Sequence, residues 1–396
     1  METKLIKLIQ NKATELSDYV SQIRKQMHQF PELSFREIET AKFVCSQLDK
    51  WSIPYEKDIC GTGIVAFIKS KHYSETEECI ALRSELDALP IHEENTHGFI
   101  SKNQGVMHAC GHDVHTSILL GCAKIISDLK DELPQSVKLI FQLGEEQLPG
   151  GASLMIQEKV LENPKVKEII ALHVYPEMPV GEVGFKAGLY MASCDEIHLE
   201  IIGKGGHGAT PQNCIDPIAI GAEIVMNLQQ IVSRKCDPKI PCVLSFGHFE
   251  ALGATNVIPS KAILKGTFRT MNEAWRNEAL ELIENQINSL CEMNGAKADL
   301  KIIKGYPFLE NNESTTQKVR KAAEEILGIQ NVKELPIRLT SEDFSYYAQE
   351  IPACFFRLGV RNEEKGLVFG VHHPKFDVDE SCFEVGMKVL CNAVFQ

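Results

Sequence analysis

Four apolar runs of strand length constrain this chain most: GIVAFIKS (63–70), CIALRSEL (79–86), SVKLIFQL (136–143) and EIIALHV (168–174). Between the second and third, residues 113–130 carry Ile118, Leu119, Cys122, Ile125, Ile126 and Leu129 at helical spacing, and another helix near 151–161 separates the third from the fourth. Strands buried on both faces read as continuous apolar runs. Their alternation with helices predicts an α/β sheet covered on both sides. A helix is also expected at the start of the chain, because Ile6, Ile9, Ala13, Leu16, Val20, Ile23 and Met27 recur every three or four residues. That stripe is unlike a signal peptide, which has a short apolar core after a basic start.

The pattern changes after Ala192. In CDEIHLEII, Ile197, Leu199 and Ile201 face one way and Glu196, His198 and Glu200 the other, as in a half-exposed strand. A helix (216–233), strands at 242–250 and 261–270, a helix (272–293) and a strand (298–305) follow. The order β-α-β-β-α-β is the split ferredoxin-like unit. The expected organisation is therefore a domain at 188–306 inserted into another made of 1–187 and 307–396, the last segment resuming with a helix at 315–327 and a strand at 353–360. A length of 396 residues suits two domains.

Charge removes two classes of partner. The formal net charge of −13 argues against nucleic acid, and against an anionic membrane surface. No apolar run approaches the ~20 residues of a membrane span. The thirteen cysteines are an odd number without a C-x-x-C pair, which predicts a reduced, cytoplasmic setting.

Several motifs fail on context. GTGIVA (61–66) and GKGGHG (203–208) fit a loose dinucleotide pattern but lack its strand–turn–helix setting. HEENTH (92–97) puts its second histidine at i+5, off the helical face that a zincin needs. There is no G-x-S-x-G elbow and no deaminase P-C-x-x-C.

One stretch survives. MHACGHDVHT (107–116) offers Cys110 and His112, which can chelate one ion from a loop but not from one helix face. Gly111 permits such a loop. His108 and His115 compete for the role, and a polar helix cap is the alternative reading. Elsewhere FQLGEEQLPGG places Glu145 and Glu146 after a buried strand, ALHVY places His173 at another, and GVHHPKF supplies His372 and His373. Ligands of α/β sheets gather at the carboxyl ends of strands. Together these donors suit Zn, Mn, Co or Ni. A carboxylate pair also lets one member bind metal while its neighbour moves protons.

The blocks RSELDALPI, GVMHACGHDVHT, GEEQLPGGASLMI, ALHVYPEMPVG, GKGGHGATP, NVIPSKAILKGTFRT and SEDFSYY resemble, in order, the amidohydrolase branch of the aminoacylase-type metallopeptidases. That branch includes hippurate hydrolases, indole-acetyl-amino-acid hydrolases and N-acetyl-diaminopimelate deacetylases, and the likeness runs from about residue 20 to 390. The resemblance implies a catalytic domain with a mixed β-sheet flanked by helices, and an inserted ferredoxin-like lid and dimerisation domain. It implies two divalent metal ions per chain (Mn, Zn, Ni or Co), held by Cys110, His112, Glu146, His173 and His372, with Cys110 standing where a bridging carboxylate lies in the wider superfamily. Glu145 matches the general base acting on a water held between the ions. His372 matches through His-x-Pro-x-Phe, while His373, His108 and His115 do not match as ligands.

The implied reaction is hydrolysis of the amide bond of an N-acyl-L-amino acid. His207 would reach the oxyanion from the other subunit of a homodimer. Asn256 and Arg269 suit the substrate α-carboxylate, which a guanidinium grips bidentately; a surface salt bridge at a strand end competes for Arg269. Ser84-Glu85 stands where the branch has Ala-Asp, Gly208 where it has alanine, and Gln212 where it has histidine. A dipeptidase or carboxypeptidase on the same scaffold is the nearest rival. A non-catalytic metal-dependent binding protein is the rival from another class, and it has no need of Glu145.

Overall fold

The computed structural model describes residues 2–74 and 77–396. The chain forms two compact units, one of residues up to Tyr190 with Glu310–Ile337 and Asp343–Gln396, the other of Met191–Leu309 with Arg338–Glu342. The sequence expectation set the passages three residues earlier, and the short return of 338–342 to the second unit has no periodic signal to announce it.

In chain order the first unit runs α1 (Glu2–Gln29), α2 (Ile38–Lys50), β1 (Tyr55–Ile59), β2 (Gly63–Ile68), β3 (Cys79–Glu85), α3 (His112–Asp128), β4 (Val137–Gln142), α4 (Gly151–Gln157), β5 (Val166–Pro179) and β6 (Val183–Phe185). β7 (Gly188–Met191) leads into the second unit, which holds β8 (Asp195–Ile202), β9 (Gly206–His207), α5 (Pro217–Gln230), β10 (Cys242–Glu250), β11 (Val257–Ile258), β12 (Lys261–Thr270), α6 (Glu273–Met293) and β13 (Lys297–Lys304). The chain returns through β14 (Leu309–Asn311) to α7 (Glu313–Leu327), β15 (Val332–Glu334), α8 (Ser345–Glu350), β16 (Ala353–Arg361) and α9 (Cys382–Val394).

The first unit is a mixed eight-stranded sheet ordered β1-β2-β4-β3-β5-β16-β6-β15, flanked by helices. Its centre is parallel: β3 lies between β4 and β5, and β16 follows on β5. Every residue of β3 and β4 is buried, which is why these strands read as mostly apolar rather than alternating. The stripe of α1 packs inward through Ile9, Ala13, Val20, Ile23 and Met27 against α3 and α9. β5 is longer than its apolar run because it pairs with β16 beyond His173, as far as Pro179.

The second unit has the element order β-α-β-β-α-β around an antiparallel sheet ordered β10-β12-β8-β13. Ile197, Leu199 and Ile201 of β8 are buried with Ile220, Ile224 and Leu228 of α5 and Ala279, Ile283 and Ile287 of α6 in one core. Asp216 caps α5 and Asn272 caps α6, each accepting from backbone N–H groups of the first turn. Among the described residues no helix is long and apolar enough to cross a membrane.

Candidate metal centre

The first unit gathers its donors near the carboxyl end of β4, along β5 and at the turn before α3. The pairing of β3 with β5 ends at Arg83 opposite Ala171, so His173 stands just past it. Glu145 and Glu146 follow the last residue of β4 by a short turn. Cys110 and His112 flank Gly111, which sits at φ +86° immediately before α3. This is the loop geometry that spacing alone demanded: His112 opens the helix, while Cys110 lies outside it. No side chain caps this helix end.

His372 comes from a loop between β16 and α9. Its backbone is left-handed, with φ +65°, and its N–H donates to the Ala109 carbonyl (2.7 Å). A non-glycine residue held in that region at a cluster of polar groups points to function. His373 is occupied locally: its ring stacks on Phe369 and its Nδ1 accepts from the Lys375 N–H.

These side chains converge. Cys110 Sγ lies 3.4 Å from His173 Nε2. His372 Nε2 lies 3.3 Å from Glu146 Oε1, and His112 Nε2 lies 4.0 Å from Glu145 Oε2. Donor atoms within 4.8 Å of one another include Cys110 with His112 and His173, Cys110 with Glu146 and His372, His112 with Glu145 and Glu146, and Glu85 with His112 and His115. Cys110 belongs to two of them. Neighbouring donors on one tetrahedral zinc-class ion are about 3.3–3.6 Å apart, from bonds of ~2.0–2.3 Å.

Hydrogen bonding fixes which ring nitrogens face the cluster. His112 Nδ1–H donates to the Asp87 carbonyl (2.9 Å) and to Asp87 Oδ1 (3.1 Å), so Nε2 turns inward. His173 Nδ1–H donates to the Val174 carbonyl (2.8 Å), which leaves the Nε2 lone pair toward Cys110. His115 is different: Nδ1–H donates to Glu85 Oε2 (2.9 Å) and Nε2 accepts the Val174 N–H (3.0 Å). Both its nitrogens are engaged, so it supports the cluster and offers it nothing. His108 is buried outside the sets named above, and burial lowers its pKa to about 4.

The donor set fits a cation on its own terms. His112 Nε2 and Glu146 Oε1 are buried and make no hydrogen bond. Buried polar atoms without partners are costly, on the order of 1–3 kcal/mol each. Burial opposes a charge on His112, but the hydrogen bond and charge of Asp87 prevail and push its pKa up to about 10. A proton on Nε2 would still find no acceptor, whereas a cation satisfies this nitrogen and the Glu146 oxygen together. Burial, and next to it the Arg357 charge, holds His173 well below the usual imidazole range, the neutral form that a ligand requires.

Residue types and spacing gave no sign of the supporting groups. Asp87 Oδ2 accepts from Ser34 (2.7 Å) and from the Glu146 N–H (2.9 Å), so one carboxylate sets both His112 and Glu146. Arg83 contacts Glu85 and reaches Asp343 Oδ1 (2.6 Å), and Asp343 also accepts from Gln142 and from the Ala152 N–H. The Asp343 N–H donates to Glu145 Oε1 (3.3 Å). Their only signal was position, in blocks adjoining buried strand ends.

The candidate substrate residues all lie in the second unit. His207 is exposed, pairs with Val257 between β9 and β11, and accepts the Ala209 N–H at Nδ1 (3.0 Å). Asn256 is its backbone neighbour, accepting the Gly208 N–H (2.8 Å). Arg269 lies on β12, where Nη1 donates to the Leu339 carbonyl (3.0 Å) rather than to a carboxylate.

The comparisons agree with this architecture. A model of peptidase family M20/M25/M40 matches residues 81–396. The chain is 42% identical over 291 residues to an N-acyl-L-amino acid amidohydrolase of Geobacillus stearothermophilus, covering 73% of this chain and 77% of that protein. It is 35% identical over 385 residues to thermostable carboxypeptidase 1 of Saccharolobus solfataricus, covering 96% of each. Among solved structures, the Bacillus subtilis YXEP protein, a dinuclear metal-binding peptidase of the M20 family, superposes with a TM-score of 0.81 at 30% identity, covering 96% of this chain and 98% of that one. The chain belongs to peptidase family M20/M25/M40.

Proposed function

We propose that this enzyme hydrolyses the amide bond of N-acyl-L-amino acids at a dinuclear centre held by Cys110, His112, Glu146, His173 and His372, with Glu145 as the general base. Its family and relatives make it a hydrolase of amide bonds. The observation that carries the finer reading is the shared sulfur: Cys110 belongs to two donor sets that each include a buried atom without a hydrogen bond, and the carboxylate of Glu145 lies beside them. The YXEP protein's dinuclear character supports two ions. Imidazole, thiolate and carboxylate donors suit Zn, Mn, Co or Ni.

When bound, the ions supply Lewis acidity, which lowers the pKa of water and polarises a carbonyl. The chain's own residues do the rest. Asp87 holds the His112 ring and the Glu146 backbone, so two donors keep their positions without rearranging. Glu145 accepts the proton of the attacking water, worth about 10²–10⁴-fold, and returns it to the departing nitrogen. An amine cannot leave as its anion, so the second transfer is required. His207 would steady the oxyanion from the neighbouring subunit of a homodimer assembled through the second unit. Asn256 and Arg269 would hold the substrate α-carboxylate.

The Geobacillus amidohydrolase supports the acyl substrate, while the Saccharolobus carboxypeptidase keeps a peptide substrate in play. The retained Glu145 disfavours a binding protein without catalysis. Metal-free protein given Mn, Zn, Co or Ni is to be assayed on N-acetyl amino acids, N-benzoyl amino acids and dipeptides. The acyl substrates should lead by at least about tenfold in kcat/KM. A lead of that size for dipeptides would overturn the acyl assignment.

A further inference from the structure

We propose that His28, Glu93 and His97 form a separate site for a zinc-class divalent cation. The HEENTH stretch, discounted as a zincin helix, is irregular chain between β3 and α3, and its burial alternates. His92, Glu94 and Thr96 are exposed, whereas Glu93, Asn95 and His97 turn inward. The stretch thus uses Glu93 and His97, four residues apart in irregular chain, and adds His28 from the last turn of α1.

Each donor is oriented. Asp113 Oδ2 accepts from His28 Nδ1–H (2.7 Å) and from Arg24 Nε (2.9 Å), which directs His28 Nε2 to Glu93 Oε1 at 3.1 Å. A carboxylate on the far nitrogen is the arrangement that fixes metal-binding histidines. Glu93 is anchored through Oε2, which accepts the Ser101 N–H (2.7 Å). His97 is clamped by Phe99, whose ring stacks on it at 3.7 Å and 15°. His97 Nε2 lies 3.4 Å from Glu93 Oε1 and 3.8 Å from Asp377 Oδ2. The three donor atoms lie within 4.8 Å of one another.

Two features favour an ion over a simple ion pair. An imidazolium at His28 between Asp113 and Glu93 explains two residues, but both His97 nitrogens stay buried without a hydrogen bond. Charge points the same way: Asp113 and Asp377 pair with the Arg24 guanidinium, and Glu93 adds a third carboxylate beside His28. A divalent ion with neutral imidazoles balances that set. Two imidazoles and a carboxylate are a zinc, cobalt or nickel donor set. None of the three residues is a donor of the centre around Cys110, so the site does not depend on the reaction assigned there. It ties α1 to the 92–101 segment and, through Asp113, to the first turn of α3.

Full-length protein, stripped and dialysed against zinc, is measured by elemental mass spectrometry beside His97→Phe and Glu93→Gln. Each variant should bind about one equivalent per chain less than wild type while keeping its hydrolytic rate. With cobalt, the visible absorption difference between wild type and each variant should show a four-coordinate band. His97→Phe preserves an aromatic ring against Phe99; should it fail to fold, Glu93→Gln gives the same reading alone. Equal zinc content in wild type and folded variants, or a flat cobalt difference spectrum, overturns the site.

Discussion

Asp87 shows how much of the centre rests on groups that need touch neither metal nor substrate. It holds His112 with one oxygen and the Glu146 backbone with the other, while Ser34 braces it. Burial opposes its ionisation, but His112 holds its carboxyl below the usual range. Asp87→Ala should weaken zinc affinity about 10–100-fold, read by competition with a chelator; unchanged affinity would remove the residue from this role. Cys110 and His112 drew notice as a thiolate and an imidazole around a glycine before a helix, and Glu145 and Glu146 as paired carboxylates after a buried strand. Asp87 was not, because a carboxylate two residues beyond a strand names no partner, and its partner is 25 residues away. The choice of His372 over His373 rested on likeness alone; the structure adds the left-handed backbone of one and the aromatic stacking of the other.

Among the elements, the start of α3 carries the heaviest geometric demand. A Cβ at Gly111 would lie 2.6 Å from Val174 Cγ2, and φ +86° is strained for any other L-residue. Gly111→Ala should therefore cost about 1–3 kcal/mol in denaturant unfolding of the metal-free protein, and weaken metal binding because Cys110 and His112 flank the turn. An unchanged midpoint would show that this turn is not constrained. The parallel strands were legible because burial on both faces leaves mostly apolar residues, without alternation. α2 and α9 escaped for opposite reasons. α2 buries only Thr40, Val44, Cys45 and Leu48, too few for a stripe. α9 is buried nearly all round, so its periodicity is lost.

For the whole molecule, the candidate residues fall into two groups by unit. Every candidate metal ligand and Glu145 belong to the first unit, while His207, Asn256 and Arg269 belong to the second. The change of hydrophobic period at Ala192 falls beside the passage into the second unit at Met191, whereas the five residues of the 338–342 return carry no period. If His207 serves the neighbouring subunit, Glu145→Ala and His207→Ala homodimers are each nearly inactive. Mixing them through reversible dissociation should recover about a quarter of the wild-type rate, because about half the dimers are mixed and each holds one intact site. No recovery, with subunit exchange verified by differently tagged chains, would place His207 in its own chain's site.

The central claim is that adjacent carboxylates divide proton transfer from metal binding. Its most direct test is metal content beside turnover in Glu145→Gln and Glu146→Gln. Glu145→Gln should keep the wild-type metal content and lose about 10²–10⁴-fold in kcat, while Glu146→Gln should lose metal. A Glu145→Gln enzyme that sheds metal, or one that keeps its rate, would contradict it.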